Sequence, residues 1–156
     1  MDIIINENEI SRIVLTYSDL LLRIAFQYTR KRESAEDCVQ DCFLKLIKQK
    51  KFHSEEHLRA WLIRVTINRC KDEMKSSYHQ KVSQLDKDYA APSEDKEELK
   101  HELSRLAPLE QNVVYLYYYE DYTIKEIAGI YKKTENAVTI ILSRARQKLK
   151  KFILEE

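Results

Sequence analysis

One glycine, Gly129, and two prolines, Pro92 and Pro108, are the only strong backbone punctuation in 156 residues. Neither residue type sits well inside a helix, so a chain this poor in them is free to run in long helices. Strand-like alternation is missing, and apolar residues recur at three- and four-residue spacing instead. The expected fold class is all-α, with two small helical domains.

Charge sets the boundary between them. Residues 1–75 carry 14 basic and 12 acidic side chains, 76–102 carry 4 and 7, and 103–156 carry 9 and 7. The middle stretch, "SSYHQKVSQLDKDYAAPSEDKEEL", is polar, acidic and weakly periodic. It is expected to be a flexible linker over 77–102, with a helix restarting near Ser93, between domains at 1–76 and 103–156. A net charge of only +1 gives no global attraction for nucleic acid, so any such attraction must come from local patches. No apolar run approaches the ~18 residues of a membrane span, and the acidic N-terminus lacks the basic flank of a signal peptide. The expectation is a soluble, cytoplasmic protein.

The three cysteines do not suggest a disulfide framework. Cys38 and Cys42 lie one helical turn apart, about 5–6 Å at Cβ, which is too far for a relaxed disulfide. His53, His57, His79 and His101 show no metal-ligand spacing, so neither metal nor cofactor is expected. No nucleophile–base pair or glycine-rich phosphate loop speaks for an enzyme.

The first domain reads as three helices. One, over about 9–29, carries Ile10, Ile13, Val14, Tyr17, Leu20, Leu21, Ile24 and Tyr28 on one stripe. The second is expected to open at Ser34, with Asp37 completing a capping box and a stripe of Ala35, Cys38, Val39, Cys42, Phe43, Leu46 and Ile47. Opposite that stripe stand Asp37, Gln40, Asp41, Leu44, Lys45 and Lys48. The third opens at Ser54 and runs to about Lys75. It carries two apolar stripes, one of Leu58, Trp61, Leu62 and Val65, the other of Ile63, Ile67, Cys70 and Met74. Between them runs a polar, cationic strip of Arg64, Asn68, Lys71 and Lys75, with Trp61 at its edge. Cations beside an aromatic ring suit unstacked nucleic acid, although a solvated face with a core tryptophan also fits.

In the second domain Pro108 suits the first position of a helix through "LEQNVVYLYYYE", where Tyr115, Tyr118, Tyr119 and Tyr122 at helical spacing read as semi-buried core more readily than as a dimer surface. Thr123 and Glu126 form a capping box opening "IKEIAGIY", a turn follows at Lys132–Thr134, and a last helix runs from about Glu135 to Phe152. Two helices joined by a short turn, the second ending basic, is the helix-turn-helix pattern. At about 100° per residue, Val138, Leu142, Ala145 and Leu149 share the core stripe of that last helix, with Ile141 and Phe152 at its margins. The opposite face holds Asn136, Thr139, Ile140, Ser143, Gln147 and Lys150, with Arg144 and Arg146 at the two edges. Short polar groups, one apolar group and flanking cations fit a major groove; a solvated helix end with one stray isoleucine fits too.

Taken together, "AEDCVQDCFLKLIKQ" followed by "HLRAWLIRVTINRCKDEMK" resembles region 2 of bacterial sigma factors of the extracytoplasmic-function (ECF) group. "LAPLEQNVVYLYYYEDYTIKEIAGIYKKTENAVTIILSRARQKLKK" resembles their region 4. The resemblance spans about 9–76 and 103–153. It implies binding to core RNA polymerase, promoter recognition and help in melting DNA, with an anti-sigma factor, membrane-bound or free, as a further partner. It places Asp37, Gln40, Asp41, Leu44, Lys45 and Lys48 against the polymerase clamp. It places Lys51, Phe52, His57, Trp61, Arg64, Asn68, Lys71 and Lys75 at the −10 element. Asn136, Thr139, Ile140 and Ser143 would face −35 bases, with Lys132, Lys133, Arg144 and Arg146 near phosphates.

Three departures from the family pattern stand out. Lys132 takes the place of a common glycine in the turn, at a cost of ~1 kcal/mol if the backbone there is left-handed. Thr139, Ile140 and Ile141 replace a run that usually holds two cations. Glu73 stands where an arginine is common. Two other functions remain compatible with the residues: a helix-turn-helix regulator acting without polymerase, and a sigma-like interaction protein with weakened −35 reading.

Overall fold

The structure is a computed structural model that describes residues 2–80 and 105–154, and gives only the helical course of 76–80. The chain divides into two compact units, Met1–Pro92 and Ser93–Glu156.

In the first unit, helices α1 (Glu7–Thr29), α2 (Arg32–Ile47) and α3 (Glu55–Gln80) each pack on the other two. Their buried stripes supply the core: Ile13, Leu21 and Ile24 from α1, Cys38, Cys42 and Leu46 from α2, and Leu58, Leu62 and Ile63 from α3. Helix α1 starts two residues earlier than expected because the Asn6 side chain accepts the Glu9 N–H at 2.9 Å. Helix α2 opens at Arg32, not Ser34. Ser34 lies inside the first turn, so the expected Ser34–Asp37 cap is not the one used, and no side chain caps this end. An Arg32–Glu36 pair at 3.6 Å supports the extra turn. Ser54 caps α3 as expected, its Oγ accepting the His57 N–H at 3.0 Å. Helix α3 then continues past the expected end near Lys75 to Gln80. The rest of the expected linker, including the restart near Ser93, lies outside the described residues.

Two short strands were not anticipated. Strand β1 (Ile3–Ile4) pairs antiparallel with β2 (Lys51–Phe52), Ile3 opposite Phe52 and Ile4 opposite Lys51. Each is only two residues long, too short for alternation to signal it.

A charged cluster joins the starts of α1 and α3. The Arg12 guanidinium forks onto the Glu55 carboxylate at 3.0 and 3.1 Å, and the Tyr17 hydroxyl donates to the same group. Burial acts to raise the Glu55 carboxyl, but the hydrogen bonds from Arg12 and Tyr17 together outweigh it and hold it below its ordinary range. The three cysteines are free and buried, as expected, and burial pushes the Cys42 thiol up to about 11.

In the second unit, Pro108 opens α4 (Pro108–Val114). The helix does not continue regularly through the tyrosines. It widens into a π-helical turn over Tyr115–Tyr119, where the Glu120 N–H reaches back to the Tyr115 carbonyl at 3.2 Å. Tyr122 is buried and Tyr115 and Tyr119 half-buried, but Tyr118 is exposed, contrary to the semi-buried expectation. Helix α5 (Ile124–Tyr131) carries the expected capping box, with Glu126 N–H to Thr123 Oγ1 and Thr123 N–H to Glu126 Oε1 both at 3.0 Å. Lys132 follows at φ 54°, ψ 46°, and the Thr134 Oγ1 accepts the Ala137 N–H at 3.0 Å to open α6 (Glu135–Leu154). Val113, Leu116, Ile127, Ile130, Val138, Leu142 and Ala145 form the core. No described helix is long and apolar enough to cross a membrane.

The left-handed Lys132 costs ~1 kcal/mol relative to a glycine there, less the extra entropy glycine carries when unfolded. Lys132→Gly should therefore raise stability by about 0.5–1 kcal/mol in urea unfolding of the second unit's transition. An unchanged midpoint would show that the turn is unstrained. For Glu55 the sign follows from its depressed carboxyl. The stability it contributes is complete above the unfolded value of about 4.3 and is lost as pH falls through the lower folded value. Unfolding followed from pH 6 down to the acid range, roughly pH 3, should lose stability more steeply in the wild type than in Glu55→Gln.

Candidate nucleic-acid interface

Helix α3 buries one broad face, Leu58, Leu62, Ile63, Thr66, Ile67 and Cys70, with Thr66 near its middle. The two separate apolar stripes expected from the sequence are the margins of this single face. Val65 is only half-buried and Met74 is exposed. A helix that buries the Thr66 side must turn Arg64, Asn68, Lys71 and Lys75 outward. Asn68, Lys71 and Lys75 are exposed and Arg64 half-buried, so the polar strip is a real surface feature.

The loop before α3 is held against that strip by aromatic packing. Phe52 is 2% exposed and touches the His57 and Trp61 rings edge-on, each at 5.4 Å between centroids. This corrects its expected place among −10 contacts: the ring is covered and cannot stack on a base. It supports Trp61, which stays half-buried at the edge of the strip. His57 is exposed, stacks on His53 at 5.5 Å, and its Nδ1 accepts the His53 N–H at 3.3 Å. Asp2 lies 3.5 Å from the Lys51 ammonium and 3.6 Å from the His53 ring, so part of the loop's positive charge is countered by the N-terminal segment. The sequence reasoning missed that segment. The run Ile3, Ile4, Ile5 was its one available signal.

On α2, Asp37, Gln40, Leu44, Lys45 and Lys48 are exposed as expected. Asp41 is less available, because its carboxylate takes the Arg69 guanidinium at 2.6 Å. Glu73 takes the same guanidinium at 3.0 Å, which agrees with its place off the polar strip. Ile47 is a correction. It was expected in the core but is 56% exposed, one turn from Leu44 at 59%. By helix geometry Ile47 lies about 140° from Cys42, on the Leu44 side, so the face that packs on α1 and α3 does not cover it.

On α6, the buried residues are Val138, Leu142 and Ala145, with Ile141, Leu149 and Phe152 half-buried at the margins. Asn136, Thr139, Ile140 and Gln147 face out, and Ser143 is half-buried. Lys132, Lys133 and Arg144 are exposed. Arg146 donates to the exposed Tyr118 hydroxyl at 2.9 Å, and Lys148 pairs with Glu110 at 2.7 Å. The cationic tail therefore partly serves its own unit, which the sequence did not reveal.

Comparison with known proteins bears on these two units separately. Residues 13–81 match the sequence profile of Sigma-70 region 2, and residues 103–151 that of Sigma-70, region 4. RfaY of Xanthomonas campestris pv. campestris, named as a probable RNA polymerase sigma factor, is 26% identical over 160 residues covering 92% of this chain. The chain spans about 40% of that relative's length. Among solved structures, the sigma factor RpoE in complex with the anti-sigma factor NepR from Bartonella quintana is similar with a TM-score of 0.70 at 21% identity, covering 94% of this chain and 97% of the other. CnrH in complex with the cytosolic domain of CnrY gives a TM-score of 0.67 at 19% identity, covering 97% and 91%. These structural likenesses bear on the fold.

The aromatic packing separates support from surface. Phe52→Ala should cost about 3 kcal/mol in unfolding of the first unit, as a buried phenylalanine does. His57→Ala should stay within about 0.5 kcal/mol. Equal losses from the two variants would contradict the division.

Proposed function

This chain belongs to the sigma-70 family of RNA polymerase sigma factors, and from that premise we propose that it is an ECF-type sigma factor directing core RNA polymerase to its promoters. In this reading the exposed face of α2, with Leu44 and Ile47 at its centre, docks on polymerase. Trp61, His57 and Lys51, with the strip Arg64, Asn68, Lys71 and Lys75, take the unstacked bases and phosphates of the −10 element. The outward face of α6 enters the major groove at −35.

The observation that carries the proposal is the pairing of two differently suited faces. One is a cationic strip beside an aromatic edge on α3, the arrangement that melted DNA favours. The other is a row of short side chains flanked by cations on α6, the arrangement that a duplex groove admits. A regulator of duplex DNA alone has no use for the first. The region 2-like domain, extended through α3 to Gln80, and the region 4-like domain at 103–156 would act as separate DNA-contacting domains, with the stretch between them as the tether. The two solved neighbours were each captured with an inhibitory or cytosolic-domain partner. We extend this to the present chain as an anti-sigma partner that competes with polymerase for the α2 face.

The test is specific initiation by the purified chain with core polymerase on genomic DNA fragments. Discrete start sites support the proposal. DNA binding without polymerase would favour a regulator, and polymerase binding without initiation an interaction protein. In the same assay Leu44→Ala with Ile47→Asp should weaken holoenzyme formation roughly tenfold or more, because one apolar contact is trimmed and docking would strip water from an unpaired carboxylate. Unchanged holoenzyme formation would move the docking surface elsewhere.

A further inference from the structure

The outward face of α6 contains a small apolar island in the place where its neighbours are polar. Ile140 is 42% exposed, more than a large aliphatic side chain needs to be when a core lies on the same helix. Thr139 beside it is exposed, and its hydroxyl donates to the Glu135 carbonyl at 3.0 Å. That bond occupies the threonine's only donor within its own helix and leaves its methyl to share the surface with Ile140. Asn136 stands one turn before Ile140, and Ser143 and Arg144, three and four residues on, lie one turn after it on its two sides.

An apolar island flanked by cations meets a duplex well at one chemical feature of the major groove, the 5-methyl group of thymine. Guanine and cytosine offer only polar edges there. Burying an isoleucine against them would strip their edges of water without returning hydrogen bonds. Asn136 fits the same kind of sequence, because its amide can pair with N6 and N7 of adenine. Four residues of helix rise about 6 Å, and successive bases on a strand are about 3.4 Å apart. The two side chains therefore reach bases within roughly two steps of each other.

We propose that Ile140, backed by the Thr139 methyl, selects the upstream promoter element by contact with a thymine methyl, next to an adenine taken by Asn136. This rests on the sigma-factor reading above and adds the base chemistry to it. Arg146, tied to Tyr118, and Lys148, tied to Glu110, are partly engaged within the unit. Sequence preference then leans on this methyl contact more than a strongly cationic recognition helix would require.

Uracil tests it, since it is thymine without the methyl and pairs identically. Holoenzyme made from the full chain and core polymerase is used to select promoter duplexes from a random pool. Each upstream thymine is then replaced in turn by uracil. One replacement should weaken wild-type binding roughly three- to fivefold, the effect of losing one buried methyl contact. In Ile140→Ala holoenzyme the same replacement should have no further effect. A 5-methylcytosine·guanine pair at that position should bind better than an unmethylated one. Ile140 is exposed, so the variant should melt with the wild type, and this is checked first. Insensitivity of the wild type to every uracil overturns the methyl contact while leaving the sigma reading intact. Equal sensitivity in Ile140→Ala overturns the role of this residue. Failure of wild-type holoenzyme to select any duplex overturns the parent reading and this one together.

Discussion

Each helix is held in rotation about its own axis by the stripe that it buries, and in this chain nearly every residue of the proposed interfaces lies on what that rotation leaves outside. Val138, Leu142 and Ala145 occupy the core side of α6, so Asn136, Thr139 and Ile140 have nowhere to point but out. The broad buried face of α3 does the same for Arg64, Asn68, Lys71 and Lys75. A slip of one residue would turn either helix by about 100° and bring cations toward the core. Hydrophobic burial, which has no direction of its own, thus acquires one through helix geometry.

Charge is handled locally in a chain of net +1. Arg12 is committed to Glu55, Arg69 to Asp41 and Glu73, and Lys148 to Glu110. All but Arg69–Glu73, which lies within α3, join one element to another within a unit. Lys71, Lys75, Arg144 and Lys150 stay on exposed faces. What matters to a polyanion is the local field within about a Debye length, about 8–10 Å, so near-neutrality overall does not conflict with two patches of positive potential.

The helices and the helix-turn-helix were legible because amphipathic stripes and capping residues act over three or four positions. Ser54 and the Thr123–Glu126 box could be read directly, and so could the left-handed demand on Lys132. What escaped depended on partners distant in sequence. Phe52 looked like one more loop residue until the β1–β2 pairing and Trp61 closed around it. Asp41 looked free until α3 brought Arg69 to it. Ile47 was expected with the stripe of α2, but at about 100° per residue it lies about 140° from Cys42 and shares the exposed face of Leu44. On α6 the outward face was legible residue by residue. The engagement of Arg146 and Lys148 was not, since it depends on where Tyr118 and Glu110 come to lie.

The wide turn at Tyr115–Tyr119 has a consequence for how such chains are compared. A π turn accommodates one additional residue without making a loop, so along the helix axis it acts as a concealed insertion. Within it the side chains from Tyr115 onward fall progressively out of the phase of α4, and the helix ends at Glu120 before any regular turn resumes. Residues matched by counting from Pro108 are therefore equivalent in order but no longer in facing once the count enters Tyr115–Tyr119. Faces in this region are better anchored on the downstream cap at Thr123, where the register starts afresh.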